Sequence, residues 1–267
     1  MQVHSTFPPV FVISLKHSHE RRRAMAARLD PLLIHYSFFD AVDGSAFDPQ
    51  NLPAYDRLRR RLFFGKDLTA GEMGCLLSHR AVYQYMADHG IPVAVVLEDD
   101  ALPASDLPEA INLLMDAPVP WDVIRFLGRD KVYKNSRAIK KLSSVYTLTR
   151  PAGTPGGTYG YMLNLKAARR FLACMEKNWL PVDILHGFVW QTGLEIFAVR
   201  PSPVMPDDGV ESTIGAARFD KTVRLSGWQK AAYPLTRFYF KLSHAALTRL
   251  SWQASASSDR KLQGNKK

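Results

Sequence analysis

Val93-Ala94-Val95-Val96-Leu97-Glu98-Asp99-Asp100 is the stretch whose reading decides the fold. An unbroken apolar run is followed directly by three carboxylates. Such a run fits a strand buried on both faces, as in parallel sheets covered by helices on either side. Three adjacent acids repel one another, so their place at the end of a core strand needs a physical reason. One reading is that they solvate a strand end, as exposed acids commonly do. The other is that they hold a hard divalent cation. In open α/β sheets ligands bind beyond the carboxyl ends of the strands. Mg2+ or Mn2+ takes carboxylate oxygens there, together with a substrate's phosphates. Side-chain alternation places Glu98 and Asp100 to one side and Asp99 to the other. An acid-x-acid pair suits a transferase that stabilises a nucleoside diphosphate leaving group. Nucleases and phosphatases use similar clusters.

Around this strand, apolar runs alternate with helical patterns. Val10–Leu15 reads as a first strand and Ser18–Leu29 as an Arg-rich helix. Residues 32–44 read as a second strand ending in the turn at Asp43-Gly44. Thr69-Ala70-Gly71-Glu72 is a capping box that opens a helix, and Gly90 suits its C-terminal turn. A helix at Leu107–Met115 follows, then strands around 121–128 and 145–148. A Gly-rich loop at 150–160 enters another strand, and helices are expected at 166–179 and after Pro181. A late strand spans 195–201. Alternation of this kind predicts an α/β fold with a mostly parallel sheet.

The length and the apolar share are enough for a full core, and the charge content excludes a disordered chain. No apolar stretch is long enough to cross a bilayer. The N-terminus lacks a basic n-region and a small-residue cleavage site, so a cytoplasmic location is expected. Two cysteines, Cys75 and Cys174, fit buried free thiols in a reducing compartment.

The net charge of +10 is unevenly placed. Between Phe219 and Lys267 ten basic residues face only Asp220 and Asp259, a balance of +8, while the first 218 residues carry +2. Leu235, Phe238, Tyr239, Leu242, Ala246 and Leu250 recur at roughly helical spacing, with Pro234 starting or kinking the helix. A basic amphipathic helix bearing Trp and Phe fits an anionic membrane surface. A helix packed on the core with a solvated polar face fits as well. No nucleic-acid motif accompanies the charge, so nucleic acid is not expected as a partner. The expected division is a body over 1–218, a basic amphipathic segment over 219–254 and a disordered tail over 255–267.

Several ordered segments together resemble glycosyltransferase family 25, which includes bacterial lipooligosaccharide galactosyltransferases and collagen galactosyltransferases. They are "FVISLKHSHERR" (11–22), "FFDAVDG" (38–44), "LTAGEMGCLLSHRAVY" (68–83), "AVVLEDDA" (94–101), "WDVIRFLG" (121–128), "GTYGYMLNLKAARRFL" (157–172), "LPVDILHG" (180–187), and "VRPSPV" (199–204) with "ESTIG" (211–215). The resemblance implies a GT-A-like nucleotide-sugar-binding fold, a UDP-sugar donor (usually UDP-galactose), a divalent metal (Mn2+ or Mg2+) and inverting transfer onto a sugar hydroxyl.

Combining the two arguments assigns roles. Glu98 and Asp100 are the metal ligands, and Asp99 meets the donor's ribose or galactose. Ser14 and Leu15 offer backbone groups to a uracil, and Arg21 pairs with the nucleotide or lies on a solvated helix face. His79 touches the diphosphate, ligates metal, or is a satisfied core histidine. Glu72 shares its helix face, with capping as its favoured role. Asp183 is the candidate base, or a plain N-cap. Gly156, Gly157 and Gly160 allow close backbone approach to a ligand, or form a bare turn. Asp207 and Asp208 are fallback ligands or bases, with the 211–215 segment closing over the donor, or they belong to a solvated loop.

The function expected is hexose transfer, galactose first, from a UDP-sugar to a lipooligosaccharide acceptor. The enzyme would be peripheral on the inner membrane of a Gram-negative bacterium. The alternatives are another metal-dependent phosphate-processing enzyme and an inactive sugar- or lipid-binding protein.

Overall fold

The computed structural model describes residues 7–46, 48, 51–129, 133–153, 155–207, 209 and 222–264. In chain order the elements are β1 (Val10–Ser14), α1 (His19–Leu29), β2 (Tyr36–Asp40), α2 (Arg57–Phe64), α3 (Ala70–His89), β3 (Val93–Glu98), β4 (Ala101–Pro103) and α4 (Leu107–Met115). They continue with β5 (Val123–Phe126), β6 (Arg137–Lys141), β7 (Thr147–Arg150), β8 (Gly160–Asn164), α5 (Leu165–Cys174), α6 (Val182–Gly187), α7 (Val189–Thr192), β9 (Ile196–Arg200), β10 (Val204–Pro206) and α8 (Gly227–Gln263). Eight strands form one sheet in the order β2-β1-β3-β8-β5-β9-β7-β6, while β4 and β10 make a separate antiparallel pair.

The sheet is mixed where a mostly parallel one was expected. β1 pairs in parallel with β2 and β3, and β5 with β9. β8 runs antiparallel between β3 and β5, and β7 runs antiparallel between β9 and β6. The remaining six strands therefore share one direction. The apolar runs carry no signal for the reversal, because a strand buried on both faces looks the same either way.

Both faces are buried, which is why β3 does not alternate in polarity. Phe11, Ile13, Ala94 and Val96 pack to one side with Met73, Leu76, Tyr83 and Met86 of α3 and Phe171 of α5. Val10, Val12, Val95 and Leu97 pack to the other with Met25 and Leu29 of α1 and Ile111 and Leu114 of α4. This is a helix–sheet–helix sandwich. The capping box of α3 is present, Thr69 accepting from Glu72 N and Glu72 from Thr69 N, and Gly90 closes the helix at φ 63°.

α8 is a single helix that runs through Pro234 and continues to Gln263. The disordered tail expected from Ser255 is thus helical as far as Gln263. A buried ion pair holds it: Asp259 is 1% exposed and meets Arg150 Nε at 2.9 Å and Arg137 Nη1 at 3.2 Å. Higher up, Thr236 and Arg237 donate to the carbonyls of Leu62 and Phe63 at the end of α2. Phe240 stacks on Phe63 at 5.1 Å and meets Trp179 edge-on. Among the described residues, no helix is long and apolar enough to cross a membrane.

Candidate functional site

The site forms where β1 and β3 end side by side, Ile13 opposite Glu98. Beyond that register the chain turns, and the three acids separate by partner. Glu98 accepts from the hydroxyl of Thr158, and His79 Nε2 lies 3.3 Å from its Oε1. Asp99 accepts from the Ser14 hydroxyl at 2.7 Å and from Arg21 at 2.5 Å. Asp100 Oδ1 is buried with no hydrogen-bond partner among the described residues. Burial and the charges of Glu98 and Asp99 push the Asp100 carboxyl up to about 7, with Arg21 opposing.

A cleft of about 280 Å³ opens beside these acids. Its walls are Ile13, Ser14 and Leu15 at the end of β1, residues 41–45 after β2, and the first turns of α3 with Cys75, Ser78 and His79. Two glycines allow the 41–45 loop to lie against α3. A Cβ on Gly44 would sit 1.9 Å from the Ala70 carbonyl oxygen, and one on Gly74 would sit 2.7 Å from that of Val42. Ser78 ties the loop down further, its hydroxyl accepting from Val42 N.

The Gly-rich loop before β8 is clamped from two sides. Arg125, fully buried in β5, donates to the carbonyls of Pro155 and Gly157. Asp183 accepts from Gly157 N at 3.2 Å and from Ile184 N at 2.8 Å. Gly157 has φ 86°, in the left-handed region that glycine tolerates best. Asp183 stands in the first turn of α6, one residue beyond a start at Val182, with Pro181 as the N-cap. It orients the loop rather than capping the helix.

The donor atoms fit a hard cation on one observation: a buried carboxylate oxygen without a partner among the described residues, beside two more carboxylates. An isolated buried charge is costly, and a cation removes that cost. Glu98 and Asp100 are the residues that would hold it. Cys75, His79 and Glu98 form a second possible set, with ligand atoms within 4.8 Å of one another. Sulfur and imidazole suit softer ions than Mn2+ or Mg2+. The Cys75 thiol is pushed well above its ordinary pKa by burial and by Glu98, Asp183 and Asp100.

Of the residues singled out in the sequence, Ser14, Leu15, His79, Glu98 and Asp99 line one cleft. Arg21 joins them through Asp99, and Gly157 and Asp183 are joined to each other. Glu72 is the helix cap and does not line the cleft. Asp207 is held in an ion pair with Arg28, while its backbone N–H donates to the Asp100 carbonyl. Asp208 and the 211–215 segment lie outside the described residues. Sequence reasoning missed Cys75, Thr158 and Arg125. Only Cys75 carried a readable signal, standing one helical turn before His79 on the same face.

The model of glycosyltransferase family 25 (LPS biosynthesis protein) matches residues 7–186, and the chain belongs to that family. It is 27% identical over 274 residues to procollagen galactosyltransferase 1-B of Xenopus laevis, covering 91% of this chain and 44% of that protein. It is 30% identical over 226 residues to a probable inactive glycosyltransferase 25 family member 3 of Bos taurus, covering 75% and 37%. Procollagen galactosyltransferase 2 of Homo sapiens is 28% identical over 188 residues, covering 66% and 29%. The chain thus spans less than half the length of these relatives.

Proposed function

We propose that the chain is a metal-dependent inverting glycosyltransferase with a GT-A-like fold over residues 1–218. It moves a hexose, galactose first, from a UDP-sugar to a hydroxyl of a lipooligosaccharide. The observation that carries this reading is the buried oxygen of Asp100, without a partner among the described residues, beside Glu98 at the carboxyl end of β3. The family and the galactosyltransferases among its relatives supply the reaction class.

In this reading the nucleotide lies in the cleft of Ser14, Leu15 and the 41–45 loop. Arg21 and Ser14 hold Asp99 in place to meet the donor's hydroxyls. Glu98 and Asp100 hold Mn2+ or Mg2+, which supplies charge neutralisation for the departing diphosphate when bound. Asp183 takes the proton from the acceptor hydroxyl as its oxygen bonds to the anomeric carbon and the bond to the diphosphate breaks with inversion. The hydrogen bonds from Gly157 N and Ile184 N fix the carboxylate's direction and leave each oxygen a further lone pair.

The acceptor's lipid places this chemistry at the inner face of the cytoplasmic membrane, with α8 as the contact. Its inward face packs on α2, while Leu235, Phe238 and Leu242 point outward at 74%, 65% and 60% exposure. Lys230, Lys241 and Arg249 are exposed on the same helix, which carries no acid before Asp259. Apolar surface flanked only by cations fits an anionic bilayer.

A second reading, a catalytically inactive binding protein, is favoured by relatives whose names record inactivity. Manganese-dependent release of UDP from a panel of UDP-sugars separates the two. Release from UDP-galactose is the expected result, and no release from any donor with a lipooligosaccharide acceptor present sinks the enzyme reading.

A further inference from the structure

Behind the acids, a chain of buried polar groups crosses the core. His79 Nδ1 lies 2.7 Å from the Tyr161 hydroxyl, which lies 3.0 Å from the Tyr83 hydroxyl, which lies 2.7 Å from His186 Nε2. All four side chains have zero exposure. They come from α3, β8 and α6, and His186 stacks on Phe171 of α5 with ring centroids 4.5 Å apart and planes 6° from parallel. His186 stands one turn after Asp183 in α6, fully buried where Asp183 is half-buried against Gly157.

The direction of this chain is set by its two ends acting together. At the cleft, the 3.3 Å contact with Glu98 is long for a hydrogen bond, and because a carboxylate can only accept it leans His79 toward the tautomer with its proton on Nε2 and Nδ1 a bare acceptor without holding that form alone. That makes Tyr161 donate to His79. Its single proton is then used, so Tyr83 must donate to Tyr161. At the far end, His186 Nδ1 is buried with no partner among the described residues. A stranded N–H costs more than an idle lone pair on a ring already held neutral, and burial with the nearby Arg125 keeps His186 well below its ordinary pKa. His186 therefore donates from Nε2 to Tyr83. Both ends favour the same orientation, every proton pointing from His186 toward Glu98.

We propose that His186 is a positioning residue for Glu98, acting through Tyr83 and Tyr161 to fix the His79 tautomer that donates to the Glu98 carboxylate. The proposal rests on Glu98 being a cation ligand only for its consequence, since the tautomer itself is independent of any cation. Partners behind a ligand commonly control its orientation and the affinity of the site.

Long-range 1H–15N NMR of the histidine rings in the cation-free full chain reads the tautomers directly. His79 and His186 are expected to carry their protons on Nε2. His186→Phe keeps the stack on Phe171 but removes the donor, and His79 should then populate both tautomers. His186→Gln, which returns a donor nitrogen near the Nε2 position, should restore the single form. If His186→Phe does not fold, Tyr83→Phe removes the next link and gives the same reading. Mn2+ affinity should fall about tenfold in the Phe variants and recover in His186→Gln. A wild-type His79 protonated on Nδ1, or Phe variants with an unchanged His79 tautomer, would overturn the proposal. A wild-type chain that binds no Mn2+ counts against the cation reading alone, and the tautomers still decide this one.

Discussion

Arg21 and Asp99 form an ion pair at 2.5 Å between α1 and the turn after β3. The middle acid of the triplet is thereby neutralised by the protein's own cation, while its neighbour Asp100 has a buried oxygen with no partner among the described residues. This asymmetry is the basis of the cation assignment. It predicts that Arg21→Ala leaves Asp99, whose side chain is 11% exposed, as a largely buried charge. A loss of about 2 kcal/mol is expected, seen as a lower midpoint in urea unfolding. An unchanged midpoint would mean that Ser14 alone satisfies Asp99.

The Asp100 carboxyl gives a pH dependence with a definite sign. Its folded-state pKa of about 7 lies above the ordinary value of 3.8, so the folded chain binds a proton that the unfolded chain releases. Stability is then full below about pH 4 and falls as pH rises toward 7, by at most about 1.4 kcal/mol per pH unit. Urea unfolding of the cation-free chain across this range should show the slope, and Asp100→Asn should flatten it. An equal slope in both proteins would assign it to other groups.

For Asp183→Asn, UDP affinity should stay within about twofold while transfer falls at least about a hundredfold, the usual scale of a lost general base. Calorimetry and initial rates check the two parts. Full transfer activity would reduce Asp183 to the latch on Gly157 that its hydrogen bond already makes it.

Changing Leu235, Phe238 and Leu242 together to Ser alters an outward face and should leave the fold intact. Binding to vesicles containing phosphatidylglycerol should be salt-sensitive in the parent chain and lost in the variant. Retained binding would move the contact elsewhere on the surface.

Much of the site was legible because it lies at strand ends and helix starts. The acids follow an apolar run, Ser14 ends the first such run, and the capping box announces α3. What the sequence hid depends on contacts between distant segments. α2 reads as "RLRRRLFF", too basic for a core helix, and its apolar end is covered by Phe240 of α8. β6 is an edge strand with Ile139 as its one buried residue. The last turns of α8 have no apolar stripe, and Asp259 anchors them to Arg150, more than a hundred residues earlier. Tyr83, Tyr161 and His186 belong to no local pattern, and only the packing of α3, β8 and α6 joins them.

The central claim is that Glu98 and Asp100 hold a divalent cation shared with a nucleoside diphosphate. Calorimetric titration of Mn2+ into the chain, with and without UDP, tests it most directly when wild type is set beside Asp100→Ala. Tight binding strengthened by UDP is predicted for wild type, weakened at least about tenfold in the variant. Equal Mn2+ and UDP affinities in the two proteins would contradict the account.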